Sequence, residues 1–247
     1  MKNTISTILL LVALSAFSQN ETIYPDQNYP GLIPQIFAPG IVSSEAHEFS
    51  CSMTPDGKEF YFTRRNPELR INQIMVTKYI DGSWTDPGVV SFTGNSMAFE
   101  PRVTPDGNRL YFTYEKAVPG QSGPPMNIWY VEREEKGWGE PQNPGHPFNP
   151  LRTMYISMTE KGDIYTSDVS QGPSNEAVAV IRNINGKYGE IERLGSPVNM
   201  KKQDMYPYIT PDESILLFTS RRDRTDRSTD IFASFKTDEG KWSNPQK

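Results

Sequence analysis

Short apolar and polar stretches alternate along most of the chain, and the sequence Thr-Pro-Asp-Gly separates the clearest pair, in residues 53–63. Proline presets φ at the second turn position and glycine takes the fourth, so this sequence predicts a type I turn. The flanking residues are apolar, β-branched and aromatic, which predicts two antiparallel strands joined by the turn. Related sequences return at residues 103–113, 158–166 and 209–219.

The repeat has a nearly constant period. Its first threonine lies at positions 54, 104, 159 and 210, so successive copies are 50, 55 and 51 residues apart. Such a period is typical of a solenoid, a propeller or an array. In the fourth copy Glu213 replaces the turn glycine. If this position requires a positive φ, Glu213 is expected to carry about 1 kcal/mol of strain.

Each copy predicts two further strands. The third strand is expected at residues 73–78, 127–132, 177–182 and 230–235, and a polar turn then leads to an aromatic residue and a fourth strand. Four strands per repeat without helical periodicity favour propeller blades over a solenoid. One aromatic at a constant place predicts a packing wedge between sheets, with a ligand-stacking series as the alternative. Trp138 is expected to be more deeply buried than Trp242. The aromatic series is Trp84, Trp138, Tyr188 and Trp242.

The first 44 residues precede the repeats. Residues 1–18 combine Lys2, a short apolar run and the small residues Ala16 and Ser18. This pattern predicts a signal peptide cleaved after Ser18, and hence a periplasmic or secreted protein. The apolar run is too short to span a bilayer, and no later segment predicts a transmembrane helix. Residues 19–44 predict an extended lead-in whose residues 35–38 form the outer strand of a blade, and residues 45–247 form the repeat domain.

The combination of Thr-Pro-Asp-Gly, Tyr-Phe-Thr and then Asn127-Ile128-Trp129 or Asp230-Ile231-Phe232 resembles the WD40-like β-propeller repeat. This is the repeat of the TolB-like periplasmic propeller and of many exported bacterial proteins. The resemblance covers residues 45–247 and implies an all-β propeller of four-stranded antiparallel blades, of which four repeats are visible. The third repeat departs from the pattern because it lacks Pro-Asp. The same repeat serves scaffolds, peptidase-associated propellers and sugar lyases, so the resemblance implies no single function.

Two interpretations of the blade number stay open. The outer strand of the fourth blade is expected after residue 247. Either the lead-in strand at residues 35–38 supplies it and closes a small ring, or the chain is part of a longer propeller of about six blades, as is common in the family.

Composition narrows the kinds of partner and site. The net charge of −5 over 247 residues argues against a nucleic-acid partner, which normally requires a basic face. The single cysteine, Cys51, excludes an internal disulfide and is expected to be a small buried residue. His47 and His146 are the two histidines, and neither lies in a zinc-binding pattern, so no metal and no cofactor is predicted.

One set of residues is a candidate binding site. The first strands of propeller blades surround a central channel. Polar and aromatic residues converging there can bind a sugar or a peptide end, or can simply line a hydrated channel. Tyr208 and Ser50 occupy inner positions of the same kind. The predicted binding residues at the channel mouth are Glu48, Arg64, Glu100, Arg102, Tyr155, Tyr206 and Arg221.

The sequence therefore favours an exported, non-catalytic propeller that binds a protein or an envelope glycan. The alternative is a carbohydrate-active enzyme, a glycoside hydrolase or lyase with its site at the channel mouth. In that case Arg64 and Arg102 would clamp the substrate and His47 would be the histidine base nearest the channel. The candidate acid and base groups are Glu48, Glu100 and Asp168.

Overall fold

The computed structural model describes residues 31–118, 120, 126–148, 153–172, 174–200, 203–226 and 228–247. The predicted signal peptide and residues 19–30 of the lead-in lie outside this range, so both stay predictions. The described residues form antiparallel sheets and turns. No helix occurs among them, so none is long and apolar enough to cross a membrane.

Four antiparallel sheets follow one another along the chain, one for each repeat, and form a four-bladed β-propeller. Blade 1 contains β1 (Glu48–Met53), β2 (Glu59–Asn66), β3 (Ile71–Ile80), β4 (Ser83–Trp84) and β5 (Gly88–Val89). Blade 2 contains β6 (Ala98–Val103), β7 (Arg109–Glu115), β8 (Met126–Glu134) and β9 (Gly137–Trp138). Blade 3 contains β10 (Thr153–Met158), β11 (Ile164–Asp168), β12 (Ala177–Ile184) and β13 (Lys187–Arg193). Blade 4 contains β14 (Asp204–Ile209), β15 (Ile215–Ser220) and β16 (Asp230–Phe235). The prediction of an all-β propeller is confirmed.

The Thr-Pro-Asp-Gly turn is held by its own side chains. The hydroxyl of Thr54 donates to Asp56 Oδ1 at 2.6 Å and accepts the backbone N–H of Glu59 at 3.0 Å. Asp56 also accepts the N–H of Lys58, and Gly57 donates to the carbonyl of Thr54. These bonds satisfy the polar groups of the turn and fix the start of the second strand. Blades 2 and 4 repeat the threonine–aspartate bond.

Glu213 has a φ of 61°, so the expected positive φ at this position is confirmed. Its carboxylate lies between blades 3 and 4, where it accepts hydrogen bonds from the Tyr165 hydroxyl at 2.5 Å and from Arg182 at 2.8 Å. Lys236 forms an ion pair with it at 3.1 Å. Burial opposes ionisation, but these partners lower the pKa of Glu213 to about 2. The residue that strains the turn therefore also ties two blades together.

Neighbouring blades pack through two different faces. The forward face of a blade, defined in blade 1 by Tyr61, Ile74 and Val76, packs against the following blade. The backward face, defined in blade 2 by Leu110 and Phe112, packs against the preceding blade. The same arrangement joins blades 2 and 3, and blades 3 and 4. Burial of these apolar side chains, at about 25 cal/mol per Å², is the main term that holds the blades together.

The forward face of blade 4 differs from the others because no described blade follows it. By strand register, Ile231 corresponds to Ile74, Ile128 and Val178 of the earlier blades. Those three side chains are 0%, 3% and 0% exposed, whereas Ile231 is 67% exposed. Phe235 on the same strand is also exposed.

The lead-in covers the backward face of blade 1. Phe37, Ala38, Ile41 and Val42 pack against the cluster that contains Phe60, Phe62, Met75 and Trp84. Residues 35–38 are not a strand, and Ile36 is 67% exposed, so the predicted outer strand at this place is wrong. Blade 4 instead obtains its outer pairing from the segment that follows Trp242, since Gln246 exchanges two backbone hydrogen bonds with Ala233.

Trp138, Tyr188 and Trp242 of the aromatic series pack as wedges at junctions between blades, whereas Trp84 packs on the lead-in. Trp138 contacts Tyr61 of the preceding blade edge-on at 6.2 Å and donates its indole N–H to the Tyr61 hydroxyl at 2.7 Å. Trp242 contacts Tyr165 in the same way at 6.3 Å. The wedge interpretation is confirmed. Both tryptophans are only half-buried, so the expected difference in burial between them is wrong.

Candidate functional site

The first strands of the four blades lie beside one another around a central channel, and each contains a β-bulge at the same position. The bulge residue always has a positive φ, between 47° and 63°. Such a conformation is strained in a residue other than glycine. Because all four blades share it, the bulge belongs to the repeat rather than to one site. The bulge residues are Ser50, Glu100, Tyr155 and Tyr206.

Hydrogen bonds from the bulges connect the blades. The N–H of Glu100 donates to Thr63 Oγ1 at 3.0 Å, and that of Tyr206 donates to Ser167 Oγ at 2.8 Å. Between blades 2 and 3 a carboxylate takes this place, since Glu100 Oε2 accepts the N–H of Tyr155 at 3.3 Å. A hydroxyl or carboxylate acceptor at each junction satisfies a backbone donor that the bulge frees.

Glu100 is a buried acid rather than an open ligand group. Its side chain is 6% exposed and also accepts a hydrogen bond from the Thr113 hydroxyl at 3.2 Å. Burial raises the pKa of Glu100 to about 7, although the bonds from Tyr155 and Thr113 act in the opposite direction. Near neutral pH this carboxyl group therefore exchanges a proton while enclosed between two blades.

Arg102 contacts two other blades. Its guanidinium lies 4.8 Å from the ring centroid of Tyr208 in blade 4 and donates to Ser157 Oγ of blade 3 at 3.3 Å. Cys51 of blade 1 lies within electrostatic range of it. Burial lowers the pKa of the guanidinium, and Tyr208 partly offsets this. Arg102 thus lies near the centre of the molecule, as expected of a channel residue.

Tyrosines continue the channel lining. The rings of Tyr155 and Tyr206 lie 4.1 Å apart, and Tyr206 is 39% exposed. Burial, and secondarily the charge of Glu100, raises the pKa of Tyr155. Tyr208 is 42% exposed. The structure therefore brings Glu100, Tyr155 and Tyr206 together, whereas Arg102 contacts Tyr208 and Ser157.

Glu48 and Arg64 do not join this group. They form an ion pair at 2.9 Å, and both contact the lead-in: Ser44 Oγ donates to Glu48 at 2.5 Å and Arg64 donates to the carbonyl of Ile41 at 2.9 Å. Their prediction as ligand-binding residues is not supported by these contacts, because the side chains anchor the lead-in instead. Charge complementarity and strand pairing across the hairpin explain why they meet.

Arg221 lies on the loop after β15. It donates to Gln203 Oε1 at 2.7 Å, and Gln203 donates to Glu176 at 2.9 Å. The charge of Glu176 helps to raise the pKa of Tyr206, after burial. Arg221 is therefore connected to the channel through two intervening side chains and does not contact the tyrosines in any described bond.

The other candidate catalytic groups are engaged within the protein. Asp168 forms an ion pair with Arg193 at 2.6 Å and is 4% exposed. The His47 ring packs on Phe49 at 5.5 Å. Among the described residues, no three His, Cys, Asp or Glu side chains are grouped to hold a metal ion.

Cys51, Tyr208 and Ser157 are channel residues that the predicted set omits. The expectation that Cys51 is buried is wrong, because its side chain is exposed. Partial burial nonetheless raises the pKa of its thiol, while Arg102 acts against this. Alignment of the repeats could have identified two of these residues, because Tyr208 and Ser157 occupy the position of Arg102 in their own blades.

Two grooves of about 510 Å³ each lie beside the Thr-Pro-Asp-Gly turns, away from the predicted binding residues. Both are lined by Asp106 and Arg133, and none of the seven predicted binding residues lines either groove. Their charges are largely paired with one another. Glu59 binds Arg133 at 2.7 Å and Lys78 at 3.3 Å, which leaves little unmatched charge for a ligand.

Solved structures share this fold. The putative TolB from Agrobacterium tumefaciens is 15% identical, with a TM-score of 0.52 over 78% of this chain and 59% of its own. TolB from Acinetobacter baumannii is 14% identical, with a TM-score of 0.51 over 82% of this chain and 44% of its own. The α-L-arabinofuranosidase from Lactobacillus brevis is 13% identical, with a TM-score of 0.50 over 84% of this chain and 79% of its own.

No protein-family model and no curated protein matches the sequence. The chain spans 59% and 44% of the two TolB chains, or about half of their length. At identities of 13–15% these likenesses concern the backbone, and both a TolB and a glycosidase share it. The chain therefore has the fold of TolB-like β-propellers, and this likeness alone assigns no activity.

Proposed function

We propose that this protein is an exported, non-catalytic binding propeller whose partner, a protein or an envelope glycan, occupies the central channel. The observation that carries the proposal is the half-exposed Tyr208 in contact with Arg102, together with the half-exposed Tyr206 on the same inner strand. Aromatic rings and arginine are the side chains that contribute most to binding surfaces, because they combine apolar area with directed polar groups. The channel offers both, since the Tyr208 ring lies against Arg102.

The contacts of the candidate acids favour binding over catalysis. A glycosidase needs two carboxyl groups that face each other across a substrate cleft. Glu48 and Asp168 are each paired with an arginine, and Glu100 is buried at a blade junction. Glu100 does have the raised pKa of a general acid, so the carbohydrate-active enzyme remains the alternative function.

The repeat itself supplies a variant that tests the site. Serine occupies the positions of Tyr206 and Tyr208 in blade 1, as Ser50 and Ser52, so the double change Tyr206→Ser, Tyr208→Ser is compatible with the fold. The mature chain is immobilised and exposed to solubilised cell envelope and to a glycan array. We expect a specific partner that the double variant loses. Ile184→Ser, which changes another exposed apolar residue on blade 3, should retain it.

Two results would reject the proposal. The first is a folded protein that captures the same components as the double variant. The second is turnover of uronic, sialic or neutral glycans that disappears in Glu100→Gln, which would establish the enzyme instead. Fractionation of the host cell checks the predicted export, which should place the protein outside the cytoplasm and without residues 1–18.

A further inference from the structure

Arg102 departs from the pattern that blades 1 and 3 follow, and in blade 4 the corresponding residue is Tyr208. At the corresponding position Ser52 accepts the N–H of Val103 at 2.9 Å, and Ser157 accepts the N–H of Ile209 at 2.8 Å. A serine hydroxyl at this position thus bonds the inner strand of the next blade. An arginine has no acceptor atom and cannot do so. The framework therefore does not require Arg102, which makes a role outside the framework the better explanation for its charge.

The charge of Arg102 has no carboxylate partner among the described residues. Its hydrogen bonds, to Ser157 and to Tyr208, leave most of its five N–H groups without an anionic acceptor. Glu100 lies two residues earlier, but its carboxylate is enclosed with Thr113 and the N–H of Tyr155. A partly desolvated guanidinium without a counter-charge is costly, and an incoming anion would relieve that cost. Its planar donors match a carboxylate held by two parallel bonds.

The surroundings of Arg102 indicate which carboxylate fits. Its contacts are the Tyr208 ring and the Ser157 hydroxyl, and the Tyr206 ring is exposed in the same channel. Flat rings and hydroxyls suit the apolar face and the hydroxyl groups of a sugar. The residues that contact Arg102 include no aliphatic side chain, so they offer no pocket for an aliphatic C-terminal residue of a peptide.

We infer that the channel holds a binding site for a uronic acid unit of a glycan, in which Arg102 pairs with the sugar carboxylate and the tyrosines receive its ring. This inference rests on the binding function proposed above and assigns its ligand class. The site takes an acidic sugar without cleaving it.

Cys51 is a built-in reporter for the charge of this site. It is the only cysteine in the chain, it is exposed, and it lies within electrostatic range of Arg102. Iodoacetate is an anion and iodoacetamide is neutral, so the ratio of their reaction rates with Cys51 reports local potential, while any change in thiol pKa affects both rates alike. We expect this ratio to fall at least threefold in Arg102→Ser.

Two control variants make the reporter specific. Arg102→Lys keeps the positive charge and should keep most of the ratio. Arg109→Ser removes an arginine that is already paired with Glu132, and should leave the ratio unchanged. An equal ratio in wild type and Arg102→Ser would show that Arg102 creates no site for an anion, and would overturn the inference.

Binding of trigalacturonic acid to the mature chain, measured by titration calorimetry, tests the ligand class. We expect binding that weakens at least tenfold in Arg102→Ser and for the methyl-esterified trisaccharide, and that slows alkylation of Cys51. No binding, or binding that is equal for the ester, overturns the inference. So does stronger binding of an acetylated tripeptide with a free C-terminus than of its amide, because that would identify a peptide site. If the envelope partner depends on Tyr206 and Tyr208 but not on Arg102, this inference fails while the proposed function stands.

Discussion

Replacing Glu213 separates backbone strain from the bonds between blades 3 and 4. Glu213 has a φ of 61°, where a side chain costs on the order of 1 kcal/mol relative to glycine. From strain alone, Glu213→Gly should stabilise the protein. The carboxylate, however, accepts the hydroxyl of Tyr165 and pairs with Arg182 and Lys236.

The free energy lost with the contacts of the Glu213 carboxylate exceeds the free energy gained by relieving the backbone strain. Removing the carboxylate leaves the Tyr165 hydroxyl without this acceptor, which lowers the stability by about 1–3 kcal/mol. The two ion pairs are partly exposed, so solvent screening limits them to about 0.5–1 kcal/mol together. We therefore expect Glu213→Ala, which keeps the strain, to cost about 2–3 kcal/mol. Glu213→Gly, which relieves it, should cost about 1–2 kcal/mol.

Equilibrium unfolding in urea, followed by the fluorescence of the tryptophans, measures both variants. Trp242 packs on Tyr165 at the same junction and reports it directly. A glycine variant more stable than wild type would refute the proposed balance. Equal stabilities for the glycine and alanine variants would refute the strain.

The same carboxylate predicts a dependence on pH. Its pKa in the folded protein is about 2, below the value of 4.5 in the unfolded chain. Such a group stabilises the folded state fully above pH 4.5, and the contribution is lost as the pH falls toward 2. The difference in unfolding free energy between wild type and Glu213→Gly should therefore shrink between pH 5 and pH 2.

Three further changes test other parts of the structure. Trp138→Ala should destabilise the protein by about 2–3 kcal/mol in thermal melts, which is less than for a fully buried tryptophan. Trp138→Phe should recover most of this stability except the contribution of the bond to Tyr61. An alanine variant that melts like wild type would exclude the wedge role. Glu100→Gln should raise the melting temperature at pH 8 and have little effect at pH 4. The reason is that a carboxyl group whose pKa is raised from 4.5 to about 7 by folding costs stability only as the pH rises through that range. An equal effect at both pH values would contradict the raised pKa of Glu100. Glu48→Ala should make the lead-in more sensitive to limited proteolysis while the blades stay intact, and unchanged cleavage would show that the ion pair with Arg64 does not anchor it.

The repeat made most of the fold predictable. A turn sequence at a period of 50–55 residues specifies hairpins, and repeated hairpins with apolar residues on both faces bury these faces mainly against one another. The recurrence of glycine at the position of Glu213 pointed to a positive φ there, and φ is 61° at Glu213, 71° at Gly57 and 73° at Gly107. The path of the lead-in did not, because residues 35–38 carry no alternating pattern. Phe37 and Ala38 are held by packing on blade 1, which propensity does not encode.

The candidate site was only partly predictable. Strand position places Arg102, Tyr155 and Tyr206 at the channel, where the two tyrosines contact each other and Arg102 contacts Tyr208. Alternation alone cannot reveal that Glu100 turns into a junction, since the bulge rotates the strand at that residue. The pairing of Glu48 with Arg64 depends on the hairpin register, and their contact with the lead-in depends on a segment without regular structure.

The uncovered forward face of blade 4 has a consequence for how the protein loses its structure. In a linear array each unit is stabilised by its own fold and by coupling to its nearest neighbours. Blades 2 and 3 each pack on two neighbouring blades, and blade 1 packs on blade 2 and on the lead-in. In the described structure blade 4 packs on a neighbouring blade through its backward face only, and its other contact is that of Tyr208 with Arg102. Unfolding should therefore be graded, with β16 opening first and the junction between blades 1 and 2 last. Amide exchange would then record a gradient of protection along the array rather than a single cooperative loss.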